Sequence, residues 1–329
     1  MQAKSHLNLK KLLLLLADNE THSGEEIAQL LGVTRAAIWK QIRKIINLGF
    51  DVESLHGQGY RLTQKLDLLR DEFLCNELNK RFDLKGEIFW EIDSTNNELL
   101  RRVQLDKSLA LNCIVAETQT AGRGRRGKKW VSPLGKNLYF SLSCTFDTGI
   151  VAIEGLSLVI GIALTEALRS LGFERVQLKW PNDILCDGKK LGGILLDIVG
   201  EPNGICHVII GIGINVYKAD LINASIDQPW TTLDEIMPDA DLDRTGLLLH
   251  FIKAIMSNIE IFHAEGFSPF HQMWESYDGC AGKEVVISHG SQIEFGVEDG
   301  ITPAGELILK TAHGRKTFMN GEVSLRVKL

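Results

Sequence analysis

Residues 122–127 read Gly-Arg-Gly-Arg-Arg-Gly, three glycines and three arginines in six positions, followed by Lys128, Lys129 and Trp130. No packed element tolerates such a stretch. Glycines at that density free the backbone for positive φ and for close approach to a ligand. The guanidinium groups cannot be buried without acidic partners. The segment is therefore a surface loop, and the apolar runs on either side of it, residues 113–117 and 138–144, read as the strands that carry it. A mobile cationic loop of this kind suits closure over a phosphorylated or carboxylated small molecule.

The polar corners that would line such a site recur along the middle of the chain. A strand over residues 86–92 ends in Asp93-Ser94-Thr95-Asn96-Asn97, where a helix opens and offers hydroxyls, amides and free backbone N–H groups. A strand over 176–180 ends in Pro181-Asn182-Asp183. Residues 184–197 read as a hairpin with an Asp187-Gly188 turn, and Lys190 stands at the start of its second arm. One more strand, 207–215, carries Gly211 and Gly213 where a ligand can lie against the backbone and ends in Asn215. Singly, a hairpin lysine is usually solvated and a strand glycine usually marks a bulge. Together they outline a pocket for an anionic, nucleotide-like ligand. The run 122–127 itself spells G-x-G-x-x-G, but the turn at 132–137 follows it rather than a helix, and G-x-x-x-x-G-K-[ST] does not occur, so neither dinucleotide-binding nor P-loop chemistry is indicated. No Ser-His-Asp order points to a protein nucleophile.

The first sixty residues have a different character. Residues 9–17 form an apolar helix. Ser23 caps a second helix, with Glu26 completing a capping box and Ile27, Ala28, Leu30 and Leu31 as the buried face. Gly32 breaks it and Thr34 caps a third helix over 35–48, which buries Ile38, Ile42, Ile45 and Ile46 and turns Arg35, Lys40, Gln41, Arg43 and Lys44 outward. Trp39 can pack beneath this helix rather than touch DNA and is not taken as a base reader. Residues 50–62 form a hairpin, which makes a wing beside the helix-turn-helix. Residues 1–65 hold nine Lys/Arg against six Asp/Glu, about +3, in a chain of net charge −6. That local reversal of sign suits a DNA-reading module, with Arg35, Lys40 and Arg43 as contact residues beside the caps Ser23 and Thr34.

With 329 residues there is room for two or three domains. The six cysteines are scattered without metal-ligand spacing, so buried free thiols in a reducing cytoplasm are expected, and no zinc. The five-leucine run at 12–16 is too short for secretion or for a membrane span. From Gly282 onward, short alternating strands with Gly turns, His289-Gly290 and Asp299-Gly300 among them, indicate a small β-barrel.

Taken as a set and in order, Asp93-Ser-Thr-Asn96, Gly122-Arg-Gly-Arg-Arg-Gly127, Lys179-Trp-Pro-Asn-Asp183, Lys190-Leu-Gly-Gly-Ile194 and Gly211-Ile-Gly-Ile-Asn215 resemble the bacterial biotin protein ligases. The resemblance runs from the helix-turn-helix to the C-terminus and is to the long form, which doubles as the biotin operon repressor. Departures are small: Gly192 stands where Ala is common, and Lys189 where Arg is also used. The resemblance implies an α+β chain in three parts: a winged helix-turn-helix over 1–65, a catalytic domain over 66–276 with a mixed sheet like that of class II aminoacyl-tRNA synthetases, and an SH3-like barrel over 277–329. It implies that biotin and ATP give biotinyl-5′-adenylate and pyrophosphate, with Mg²⁺, and that biotin then passes to a lysine of the biotin carboxyl carrier protein of acetyl-CoA carboxylase.

By the same resemblance, Ser94, Thr95, Asn96 and Gln119 hold the biotin ureido ring. Arg123, Gly124 and Arg125 belong to the loop that closes over biotin and the adenylate. Lys190 contacts the carboxylate and the α-phosphate, Trp130 packs on adenine, and Gly211 and Gly213 let biotin lie on the strand, with Asn215 at its end. Asp183 orients the acceptor amine or takes its proton. Operator DNA and an adenylate-bound homodimer are the implied partners, without a membrane. A lipoate ligase, with the same acyl-adenylate chemistry, and a biotin-sensing repressor without ligase activity are the alternatives.

Overall fold

The computed structural model describes residues 2–64, 66–106, 112–147, 149, 153–200, 204–219, 226, 228–289, 292–319 and 323–327. The expected boundary residue Lys65 and the turn glycine Gly290 lie outside them.

Three helices open the chain: α1 (Gln2–Leu16), α2 (Gly24–Leu31) and α3 (Arg35–Asn47). Both expected caps form, since Ser23 Oγ accepts the Glu26 N–H (3.1 Å) and Thr34 Oγ1 the Ala37 N–H (3.2 Å). The Glu26 carboxylate faces His22 Nδ1 at 3.6 Å. Leu9, Leu12, Leu13, Leu16, Ile27, Ile38, Ile42 and Ile45 make one small core. Leu30 and Ile46, expected inside, are 63 % and 44 % exposed because three short helices cannot surround a wider apolar face. Strands β1 (Val52–Leu55) and β2 (Gly59–Leu62) pair antiparallel as the wing, tied to the helices by the His22–Tyr60 bridge.

The central part is a mixed sheet in the order β3-β4-β5-β9-β8-β7-β6: β3 (Lys85–Phe89), β4 (Asn112–Ala116), β5 (Leu138–Phe146), β6 (Val176–Lys179), β7 (Asp183–Cys186), β8 (Lys189–Gly200) and β9 (Cys206–Ile214). Only β3 and β4 run parallel among the described pairs. The β7–β8 turn is the expected one: Asp187 and Gly188 both take positive φ, 51° and 75°.

The strands read as nearly continuous apolar runs, yet their two faces differ. Cys113, Val115, Phe140, Leu142, Val208, Ile210 and Ile212 face the main core, filled by α6 (Leu156–Ser170) and α8 (Arg244–Glu265). The alternate residues Ile114 and Ile209 meet Leu99 and Val103 of α5 (Thr95–Leu105) on the other face. There the side chains next along the strands are small or polar: Ser141 on β5, Gly193 on β8, Gly211 and Gly213 on β9. Period-2 alternation thus leaves a hollow beyond the α5 contact, and the site occupies it.

Helix α8 is long and apolar enough by length and composition to cross a membrane. Leu248, Phe251, Ile252 and Ile255 are instead buried in the central core. All six cysteines are free, five of them buried, and burial pushes the Cys144 and Cys280 thiols up to about 12. The stretch over 66–70 is anchored to the core. Leu69 is buried, and the Asp67 carboxylate and carbonyl accept the backbone N–H and Nη1 of Arg244, both at 2.7 Å.

Beyond α4 (Asp71–Phe82), α7 (Leu233–Ile236) and α9 (His271–Tyr277), the chain ends in an SH3-like antiparallel sheet. Its order is β13-β12-β11-β10-β14, from β10 (Glu284–His289), β11 (Gln292–Ile301), β12 (Leu307–Thr311), β13 (Gly314–Phe318) and β14 (Val323–Val327). Val285, Ile287, Leu307 and Leu309 join the central core. Trp180 Nε1–H donates to the Gly305 carbonyl (3.1 Å), and Gly279 N–H to that of Leu178 (2.8 Å).

At this joint two carboxyl groups meet. Asp278 Oδ1 accepts the Cys280 N–H (2.8 Å) and Glu298 Oε1 the Gly300 N–H (3.0 Å), while Asp278 Oδ2 and Glu298 Oε2 are buried against each other. Two such groups hold one proton between them. Burial first, then the Asp278 carboxyl, pushes Glu298 up to about 9; burial raises Asp278 too, against the pull of Lys283, and Asp299 adds to the push on Glu298. The stability this proton contributes is whole below the ordinary glutamate value of 4.5 and is lost as pH rises through about 9. Thermal midpoints of the wild type should therefore fall over that window, and Glu298→Gln should flatten the profile. Parallel profiles for the two proteins would refute the shared proton.

Candidate active site

A cavity of about 450 Å³ opens on the α5 side of the sheet, walled by the start of α5, strands β7 to β9 and the Gly/Arg loop. Ser94 caps α5, its Oγ 3.5 Å from the Asn97 N–H, and Thr95 and Asn96 follow in the first turn; all three are nearly fully buried. Gln119 braces this corner: its Oε1 accepts the Thr95 N–H (2.9 Å), and its Nε2 donates to Ser132 Oγ (3.1 Å). Ser141 Oγ–H donates to Asn96 Oδ1 at 2.6 Å, while Asn96 Nδ2 donates to Asp197 Oδ2 at 2.9 Å. The amide is thus held at both ends.

The Gly/Arg loop, expected to be mobile, is folded as a small hairpin. Trp130 N–H donates to the Gly122 carbonyl (2.9 Å) and Gly124 N–H to that of Lys128 (2.7 Å), around a one-turn 3₁₀ helix, Arg125–Gly127. Arg123 reaches across to Asp197, Nη1 to Oδ2 and Nη2 to Oδ1, each at 3.0 Å. Arg125 turns into the cavity with Nη1 at 3.3 Å from Asn182 Oδ1. Burial lowers its pKa from the ordinary arginine value.

Lys190 Nζ lies 2.5 Å from Asp183 Oδ1, and Lys179 Nζ lies 2.8 Å from Asp183 Oδ2. Burial pushes the Asp183 carboxyl up, but the Lys190 and Lys179 charges outweigh it and hold the group below the usual carboxylate range. It is therefore an anion held between two ammonium groups.

Gly211 and Gly213 are required for close approach, although to the protein's own side chains. A Cβ on Gly211 would stand 2.0 Å from Asn96 Oδ1, and one on Gly213 2.4 Å from the Trp130 ring. The Trp130 indole lies over that strand with Lys190 Nζ 5.5 Å from the ring centroid, and its Nε1 is buried with no acceptor among the described residues. Asn215 lines the cavity but spends its amide on scaffolding: Nδ2 donates to the Thr231 carbonyl (3.1 Å) and to that of Lys190 (3.4 Å).

Reading the sequence missed Lys179, Ser141 and Asp197. Strand parity held the signal for two of them: Asp197 shares a face of β8 with Gly193 and Leu195, and Ser141 lies directly opposite Gly211 across β5 and β9. Lys179 is four residues before Asp183 across a hairpin, a pairing set by the turn.

In the N-terminal part Arg35, Lys40 and Arg43 are exposed on α3, as expected, and Ser23 and Thr34 serve as caps. Trp39 does not pack beneath the helix. It is 54 % exposed, with the Arg43 guanidinium 5.4 Å from its ring centroid, because residue 39 falls one position past Ile38 and off the apolar stripe.

Residues 89–215 match the biotin/lipoate A/B protein ligase family, residues 8–61 a helix-turn-helix domain, and residues 281–326 the biotin protein ligase C-terminal domain. A bifunctional ligase/repressor BirA of Escherichia coli is 39 % identical over 316 residues, 96 % of each chain. The one from Bacillus subtilis is 30 % identical over 94 % of this chain and 95 % of its own. Among solved structures, the biotin protein ligase from Aquifex aeolicus in complex with biotin and ATP aligns with a TM-score of 0.64 and 32 % identity, covering 74 % of this chain and 99 % of that one.

Proposed function

Because the chain belongs to the biotin/lipoate A/B protein ligase family, alongside the bifunctional ligase/repressors, we propose that it joins biotin to ATP, passes biotin to a carrier protein and represses transcription. The observation that carries the reading is the cavity itself, where a buried polar corner faces two lysines and an arginine-rich hairpin across a Gly-lined strand. Biotin has the matching parts, a ureido head and a carboxylate tail.

In the first half-reaction a carboxylate oxygen of biotin attacks the α-phosphorus of ATP, and the bond to the β-phosphate breaks to release pyrophosphate. Both reactants are anionic at the reacting atoms, so their repulsion has to be screened. Lys190 and Arg125 screen it by fixed position, with no covalent enzyme intermediate. Ser94, Thr95, Asn96 and Gln119 hold the ureido head. Arg123 and Gly124 bring the hairpin down as a lid, and Trp130 offers its ring to adenine. Gly211 and Gly213 keep the floor low, and Asn215 holds the Lys190 backbone.

In the second half-reaction the neutral amine of the acceptor lysine attacks the acyl carbon, the bond from that carbon to the phosphate oxygen breaks, AMP leaves and the amine proton passes to solvent. Asp183, ionised between two ammonium groups, orients that amine. Mg²⁺ would be held chiefly by the triphosphate oxygens of ATP, where it would neutralise charge, since among the described residues no three His, Cys, Asp or Glu side chains converge. The acceptor is the biotin carboxyl carrier protein of acetyl-CoA carboxylase. The winged helix reads operator DNA through Arg35, Lys40 and Arg43, as a homodimer formed when the adenylate is bound, in the cytoplasm.

Incubation with ATP, Mg²⁺, biotin and a carrier domain should yield a biotinylated lysine; labelling by lipoate in its place overturns the assignment. In parallel, Arg43→Ala should weaken binding to duplex DNA and reduce its salt slope by about one, as loss of a phosphate contact does. Unaltered binding would remove α3 from the interface.

A further inference from the structure

We propose that Asp197 is a positioning residue that clasps the ureido-binding amide of Asn96 and the lid arginine Arg123 through one carboxylate, so that recognition of the biotin head and closure of the Gly/Arg hairpin are set together. This rests on the ligase reading above. Three observations carry it. Asp197 Oδ2 is shared: it accepts from Asn96 Nδ2 at 2.9 Å and from Arg123 Nη1 at 3.0 Å. The second oxygen, Oδ1, takes Arg123 Nη2 at 3.0 Å, completing the two-pronged arginine–carboxylate geometry that resists rotation of either group. Arg123 Nη1 also donates to Asn97 Oδ1 (3.0 Å), which fastens the loop to the same turn of α5 that presents Ser94, Thr95 and Asn96.

The position of Asp197 explains why one residue serves both. It extends the line Gly193, Leu195 along the cavity face of β8, past the floor and out to the foot of the hairpin. Its side chain is 18 % exposed and that of Arg123 38 %, so the pair bridges the buried corner and the solvent-facing lid. Behind Asn96, the Ser141 hydroxyl holds Oδ1 at 2.6 Å. With Oδ1 pinned to a hydroxyl and Nδ2 to a carboxylate, the amide cannot flip, and its donor and acceptor present one face to the cavity. Without the Asp197 carboxylate, Asn96 Nδ2 keeps only the longer bond to the Leu195 carbonyl (3.4 Å), and the hairpin loses its only ion pair to β8 among the described residues.

The test is Asp197→Asn in the full chain, with Asp197→Glu as the conservative partner. In pyrophosphate release, Asp197→Asn should raise the KM for biotin about tenfold or more while kcat and the KM for ATP change less than about threefold, as loss of charge-assisted hydrogen bonds to a recognition group predicts. Asp197→Glu should recover part of the biotin KM. Trypsin cleavage within residues 123–129, measured without substrates, should be faster in Asp197→Asn than in the wild type. Unchanged biotin KM together with unchanged cleavage overturns the clasp, and so does a fall in kcat alone. Should Asp197→Asn fail to fold, Asp197→Ser removes the same carboxylate with a smaller side chain and is read in the same way. Failure of the wild type to release pyrophosphate with biotin overturns the ligase reading instead, and the cleavage comparison still decides the clasp.

Discussion

Replacing Lys190 with alanine should slow pyrophosphate release from biotin and ATP by about 10²–10³-fold, the usual loss when one preorganised charge is removed from a transition state. Lys190 is the second residue of β8, just beyond the Asp187–Gly188 turn, and its backbone is fixed on both sides: its N–H donates to the Pro229 carbonyl (2.9 Å) and its carbonyl accepts the Thr231 N–H (3.0 Å). The ammonium therefore projects from a rigid strand end, held by Asp183 at 2.5 Å above the Trp130 ring. Charge developing between carboxylate and phosphate meets a cation that needs no reorganisation. The loss should fall on kcat and on kcat/KM together, since the interaction strengthens in the transition state. Arginine at this position should restore little, because its planar fork cannot occupy the place of a compact ammonium. A Lys190→Ala enzyme with wild-type pyrophosphate release would place the chemistry elsewhere.

A second large effect concerns stability. Arg244 is completely buried and meets Glu117, itself buried, at 2.8 Å. Its remaining donors go to backbone: Nε and Nη2 to the Asn137 carbonyl at 3.1 and 2.8 Å, Nη1 to the Asp67 carbonyl at 2.7 Å. Glu117 also receives the Leu69 N–H at 2.7 Å. One ion pair thus joins α8, the strand that feeds the Gly/Arg hairpin and the connection to the winged helix. Arg244→Ala leaves an uncompensated carboxylate in the interior, a loss of about 3–5 kcal/mol. Calorimetry should show the thermal midpoint lowered by about 10 °C for a domain of this size. The double replacement Arg244→Met with Glu117→Gln removes both charges and should recover much of the loss. A single variant melting within about 1 °C of the wild type would show that the pair is not closed off from water.

Much of the architecture was legible where a signal is local. The caps Ser23 and Thr34 act on N–H groups three residues ahead, and both form. The Asp187–Gly188 turn depends only on which residues tolerate positive φ, and it forms as read. The winged helix follows from apolar spacing and a Gly-rich turn. Pattern failed where the size of the partner surface decides burial: Leu30, Ile46 and Trp39 are exposed because nothing in the N-terminal part is wide enough to cover them.

The candidate site divides in the same way. Ser94, Thr95, Asn96, Gln119, Arg123, Gly124, Arg125, Trp130, Asp183, Lys190, Gly211, Gly213 and Asn215, gathered by the family resemblance, all line one cavity. What each does there was not in the residue types. Asn215 turned out to brace the Lys190 backbone, the glycines to admit Asn96 and Trp130, and the loop to be a hydrogen-bonded hairpin.

By itself, then, the sequence determined the inventory: a basic winged helix, a Gly-lined sheet face, a cationic loop and lysines for an anionic pair of reactants. Those depend on local backbone preference and on charge, which a chain carries wherever it folds. Only the tertiary structure decided the partnerships. Arg244 finds Glu117 from 127 positions away, and Asn96 finds Asp197 from 101, because helices α8 and α5 pack on the mixed sheet. Which carboxylate meets which cation is set by register and layer, and that choice pairs Asp183 with two lysines, Asp197 with Arg123 and Glu117 with Arg244 at the junction of the parts.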